Sequence, residues 1–142
     1  MTKTVRVIGI GSPVEGDRTG MTLVEQLRDD VMWQQREEIE WLVLERPGAA
    51  LLQYFTGVET LCLIDALKGA GPVVRIDQNE LLTQDNVISS HHIGVAESLQ
   101  LAAALHLLPP RLVLYGVGDH PESYSQLSAM LSEALAPNST AN

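Results

Sequence analysis

A chain of 142 residues fits one domain able to bury about two-thirds of its unfolded surface. With 45% hydrophobic residues it can pack a core, and with only 4% aromatics that core must come from Leu, Val, Ile and Ala. Nine basic and 18 acidic residues leave a formal charge of −9, which argues against nucleic acid or an anionic membrane as partner and suits a basic protein segment or a bound metal better.

In chain order, the apolar β-branched run from Val5 to Ile10 predicts a strand covered on both faces. Gly9 and Gly11 allow a sharp turn or a close neighbour, a loop with Pro13, Glu15, Gly16 and Asp17 follows, and Gly20, Leu23, Val24, Leu27 and Val31 then fall at helical spacing. Residues 29–38 are polar and predict a loop with some helical continuation. Glu40–Glu45 reads as a second strand, Ala49–Phe55 as a short helix, and Thr60–Asp65 as a third strand closed by a carboxylate. Val73–Asp77 alternates as an edge strand would, and Gln78–Ser89 reads as an irregular polar connection. Ser90 is placed to cap a helix over residues 91–106, which Pro109 and Pro110 stop. Arg111–Val117 is the fifth strand. Ser123-x-x-Gln126 has a capping-box pattern before Leu127, Met130, Leu131, Ala134 and Leu135. Residues 137–142 read as a frayed polar tail.

Alternating strands and helices predict one three-layer α/β/α sandwich spanning 1–142, with a five-stranded, mainly parallel sheet. No apolar run is long enough for a bilayer and no secretory leader is evident, so a cytoplasmic setting is expected. The single cysteine, Cys62, lies in an apolar strand and reads as a core residue in a reducing compartment.

The strand–loop–helix at residues 4–20 invites a dinucleotide-binding reading. Glu15 and Asp17 stand where a pyrophosphate would sit, and the third glycine of the fingerprint is out of place. Those acids could simply open a helix, where negative charge is favourable. A further pattern emerges from the topology. Asp17 follows strand one, Asp65 ends strand three, and His91 opens the helix returning to strand five, so all three point to the carboxyl edge where α/β sheets bind ligands. Two carboxylates and an imidazole form a mixed set suited to Zn²⁺ or another transition metal. Asp65 could equally cap a strand end, and His91 or His92 could be surface residues. His106 and His120 read as bland.

Three segments carry a resemblance: Gly9-x-Gly11-Ser12-Pro13-x-x-Gly16-Asp17, then Leu61-x-Leu63-Ile64-Asp65-Ala66, then Ser90-His91-x-x-Gly94-x-x-x-x-Leu99. Together they resemble the hydrogenase maturation endopeptidases, which remove the C-terminal extension of a nickel-iron hydrogenase large subunit after nickel insertion. The resemblance runs nearly end to end and implies a mixed sheet with strand four antiparallel at an edge. It implies metal contacts by Asp17, Asp65 and His91, with Glu15 the alternative to Asp17. The metal would be the substrate's nickel, no tightly held metal of the chain's own being expected, and the partner would be the hydrogenase large-subunit precursor. A non-catalytic α/β module binding a metal or partner in hydrogenase assembly is the alternative.

Three departures from the family pattern stand out. Ser12 replaces an Asn, Asp17 stands between Gly16 and Arg18 rather than beside a second acid, and Glu45-Arg46-Pro47-Gly48 replaces an Asp-Gly-Gly-Thr turn bordering the cleft.

Overall fold

The sheet grows outward from β1 (Val5–Gly11), which pairs in parallel with β2 (Ile39–Glu45) on one side and β3 (Thr60–Ala66) on the other. β3 pairs in parallel with β5 (Arg111–Val117), and β4 (Val73–Arg75) closes the sheet antiparallel to β5, giving the order β2-β1-β3-β5-β4. The computed structural model describes residues 3–11, 18–45, 48–67, 69, 71–83 and 93–136. The expected α/β sandwich with strand four antiparallel at an edge is therefore the observed one. All seven residues of β3 are buried, as its unbroken apolar run requires of a central strand.

Strand alternation divides the core in two. Val7, Cys62, Ile64, Val113 and Tyr115 face one way, against α1 (Thr19–Asp29), α2 (Val31–Gln34) and α5 (Ser123–Ala134), which bury Leu23, Leu27, Trp33, Leu127 and Leu131. Ile8, Ile10, Leu61, Leu63 and Leu114 face the other way, against the 3₁₀ helix Gly48–Tyr54, α3 (Gln78–Leu82) and α4 (Ile93–Ala104). The chain leaves β1 to one side for β2, then crosses back past it for β3. Right-handed crossovers in opposite directions put α1 and the 3₁₀ helix on opposite faces. Arg6 ties that end together: its guanidinium donates to Glu40 Oε1 (2.7 Å) and to the carbonyls of Tyr54 (2.8 Å) and Thr56 (2.9 Å).

Several element boundaries differ from the sequence expectation. The polar stretch after β4 is not wholly irregular: Asp77 Oδ1 accepts from the Asn79 N–H at 2.9 Å and starts α3. That use of Asp77 ends β4 early, so the strand has three residues rather than five. Asp30 caps α2 in the same way, accepting from the Met32 N–H at 2.9 Å. The short helix expected over residues 49–55 is a 3₁₀ helix, Gly48–Tyr54, one residue earlier at each end.

α4 ends at Ala104, two residues before the expected end. His106 is left-handed (φ 60°), while the Leu107 and His106 N–H groups donate to the carbonyls of Ala102 (2.8 Å) and Ala103 (3.2 Å). This is a Schellman stop with histidine where glycine is usual. The capping box at Ser123 does not form. Ser123 lies inside α5, and its hydroxyl donates instead to the Gly118 carbonyl (2.5 Å). The position of Ser90, read as a cap, lies outside the described residues, as does the tail 137–142.

Candidate active site at the carboxyl edge of the sheet

Asp65 is the last polar position of a strand whose other side chains are apolar or small, and it is only 5% exposed. Parallel register puts it beside Ile10 of β1 and Gly116 of β5. Alternation with Leu61 and Leu63 aims its side chain at the face covered by α4. On β5, Gly116 leaves room that Leu67 and Val74 fill; a Cβ there would lie 2.8 Å from Leu67 Cδ2 and 3.3 Å from Val74 Cγ1. Burying a carboxylate this deeply is unfavourable unless charge or hydrogen bonding compensates, so an acid at this position is chemically demanding. It lies near the carboxyl end of β3, one of the two strands, β1 and β3, between which the strand order reverses and α/β sheets form their ligand crevice.

Asp17, its alternative Glu15, and His91 lie outside the described residues. Among the described residues no group of three His, Cys, Asp or Glu side chains could hold a metal ion, and Asp65 is the one expected ligand in that set. The flanking elements are described. β1 ends at Gly11 and α1 begins at Thr19, while α4 begins at Ile93 and descends to the turn that feeds the amino end of β5. Both ends thus open on the carboxyl edge where Asp65 sits.

The glycine of the apparent nucleotide fingerprint has another use. A Cβ on Gly9 would lie 2.6 Å from the Gly20 carbonyl oxygen and 2.8 Å from Val24 Cγ2, so Gly9 admits helix α1 against the strand. Cys62 is fully buried, and burial pushes its thiol up to about 12, which leaves it protonated and inert at neutral pH.

His120 was not singled out by sequence, yet it stands in the turn from β5 to α5 at the same edge as Asp65. The available signal was positional: the residues just after a parallel strand belong to the ligand-facing edge. With Arg18 at the start of α1, it lines a cleft of about 480 Å³. His106 lies at the opposite end of the sheet, past α4, where its backbone conformation accounts for it.

No protein-family model matches the sequence, and no curated protein matches it. Solved structures do share its fold. The hydrogenase maturating endopeptidase HybD from E. coli superposes with a TM-score of 0.62 at 24% identity, over 94% of this chain and 90% of that one. A NiFe hydrogenase maturation protease, HycI from Thermococcus kodakarensis, gives 0.61 at 18% identity, over 94% and 92%. A hydrogenase 2 maturation peptidase from a Thaumarchaeota archaeon gives 0.55 at 19%, over 94% and 99%.

Proposed function

We propose that the chain is an endopeptidase that removes the C-terminal extension of a nickel-loaded nickel-iron hydrogenase large-subunit precursor, acting in the cytoplasm. The observation that carries this reading is the buried Asp65 at the carboxyl end of β3, beside the reversal of strand order, in a chain with the fold of proteins named hydrogenase maturation peptidases. The order of the Gly9–Asp17, Leu61–Ala66 and Ser90–Leu99 segments supports it. Among the described residues no helix is long and apolar enough to cross a membrane, which is compatible with that setting.

Asp17, Asp65 and His91 engage the nickel that the precursor brings, and so fix the scissile peptide at the sheet edge. Hydrolysis needs a water polarised by the metal or deprotonated by a carboxylate, and both agents stand in this set. The ligands come from three separate elements and two of them are carboxylates. Three ligands on separate elements must be ordered together and leave the ion's coordination shell incomplete, so the free protein holds divalent metal weakly and acquires a tight site only with the precursor's own nickel ligands.

The test uses chelator-treated protein with nickel-loaded and nickel-free precursor. Cleavage of the loaded form alone is expected. Stable binding without cleavage would make the chain a non-catalytic assembly module. A need for added zinc would make it a conventional metallopeptidase.

A further inference from the structure

The cleft beside the candidate site is bounded by the exposed face of α1 and by the turn from β5 to α5, and its lining includes Arg18, Thr22, Gln26, Asp119, His120 and Tyr124. Both walls are fastened. Ser123, 2% exposed, donates from Oγ to the Gly118 carbonyl at 2.5 Å and accepts from the His120 N–H at 3.2 Å. Gly118 has no space for a Cβ, which would run into the Gly71 carbonyl oxygen. Tyr124 donates from its hydroxyl to Asp30 Oδ2 at 2.5 Å, joining α5 to the end of α1. The turn therefore presents His120 on a frame set before any ligand arrives.

Position relates this cleft to the chemistry. Gly116 is the cross-strand neighbour of Asp65, and Gly118, a lining residue, lies two positions further along the chain. At ~4.8 Å between strands and ~3.3 Å per residue along them, the cleft begins roughly 8 Å from Asp65, a span of two to three residues of extended peptide. Asp65 points to the α4 face, and the cleft opens on the face of α1 and α5. A peptide reaching both must cross the top of the sheet. Cutting one bond efficiently requires its two flanks to be held. The nickel fixes the flank that stays with the folded precursor, which leaves the departing flank for the cleft. Hydroxyl, amide, imidazole and guanidinium groups line it, suiting the donors and acceptors of a polar extended chain.

Resting on the peptidase reading, we propose that the cleft between α1 and the β5–α5 turn is the subsite that binds the precursor's C-terminal extension, as an extended polar peptide on the leaving side of the cut bond. Thr22 and Gln26 are exposed and one helical turn apart, so bulk at Thr22 fills the cleft without entering the core. The experiment measures cleavage of nickel-loaded precursor by the full chain and by Thr22→Trp and His120→Ala, with Arg28→Trp as a control on the same helix outside the cleft. Thr22→Trp should raise KM about tenfold and His120→Ala about threefold, with single-turnover rates at saturation nearly kept and Arg28→Trp unchanged. Melting curves confirm that each variant is folded. An unchanged KM in both cleft variants, while the unsubstituted protein cuts normally, overturns the subsite and leaves the peptidase reading intact. If the unsubstituted protein does not cut loaded precursor, the peptidase reading fails and the subsite falls with it.

Discussion

Gly9 of β1 and Gly20 of α1 meet backbone to backbone. A Cβ on Gly9 would lie 2.6 Å from the Gly20 carbonyl oxygen, and one on Gly20 would lie 2.7 Å from the Ile64 oxygen and 2.9 Å from that of Ile10. The atoms in the way are main chain of two central strands and cannot rotate aside. Alanine at Gly20 gains about 1 kcal/mol of helix propensity. Forcing a methyl into a packed interior typically costs 1–3 kcal/mol, and immovable backbone puts this site at the upper end. Gly20→Ala should therefore destabilise the protein by about 2 kcal/mol in urea unfolding. A more stable Gly20→Ala protein would show that α1 can shift without strain. Because α1 starts beside the loop bearing Asp17, the same substitution should also slow precursor processing.

At the other end of the sheet, His106 ends α4 in a left-handed conformation, φ 60°. A side chain there is disfavoured by about 1–2 kcal/mol relative to glycine, while glycine adds freedom to the unfolded chain. His106→Gly should raise stability by about 0.5 kcal/mol, read from the urea midpoint at constant slope. A loss of stability would mean that the imidazole makes a contact worth more than the strain.

These positions show what a sequence makes legible. Apolar runs gave strand five at its observed bounds and strand three to within one residue, because central strands have no solvent face to interrupt the pattern. The edge place of β4 followed from its alternation. Local caps were harder to read. Asp77 looked like a strand end but starts α3, and Ser123 looked like a cap but is spent on Gly118, since a short polar side chain can satisfy several backbone partners. Asp65 was legible as a carboxylate closing an apolar strand, and the structure places it at the carboxyl edge as expected. Asp17 and His91 lie outside the described residues, so their grouping with Asp65 rests on topology and on the resemblance. His120 reads as bland because a histidine in a polar turn has no periodicity to mark it, and only the topology puts it at the edge where Asp65 sits.

Cys62 gives a pH prediction with a definite sign. Burial raises its thiol from 9.0 to about 12 in the folded protein, so folding favours the protonated form. That stabilisation is complete below pH 9 and is lost as pH rises towards 12, at about 1.4 kcal/mol per pH unit. Tyr115 is also raised to about 12, chiefly by burial and partly by Cys62, and acts with the same sign. Stability should thus fall above pH 9, and Cys62→Val should fall less steeply. Parallel curves for the two proteins would show that the thiol ionises without unfolding. At pH 8 the native thiol should resist iodoacetamide and react once the chain is unfolded.

Charge-removing substitutions distinguish which acids act at the sheet edge. Asp65 is the penultimate residue of a fully buried strand, and Asp65→Asn keeps its shape while removing its charge, so the variant should fold. A ligand or base without charge loses hold of the nickel or of the attacking water's proton, and processing should fall by a factor on the order of 100 or more. In the first loop the choice is between Glu15 and Asp17. α1 begins at Thr19 and buries Gly20 against Ile10 and Ile64, so the helix register is fixed by a glycine that cannot move. Counting back from that anchor makes Asp17 the acid nearest the helix, and the loop one residue shorter than the family pattern. Asp17→Asn should abolish cleavage of nickel-loaded precursor, whereas Glu15→Gln should keep much of it. The comparison is made at equal melting temperature, with binding of the precursor measured alongside cleavage. If Glu15→Gln is the inactive variant, the missing residue lies after Glu15 and the acid that meets the metal has been assigned to the wrong side of Gly16.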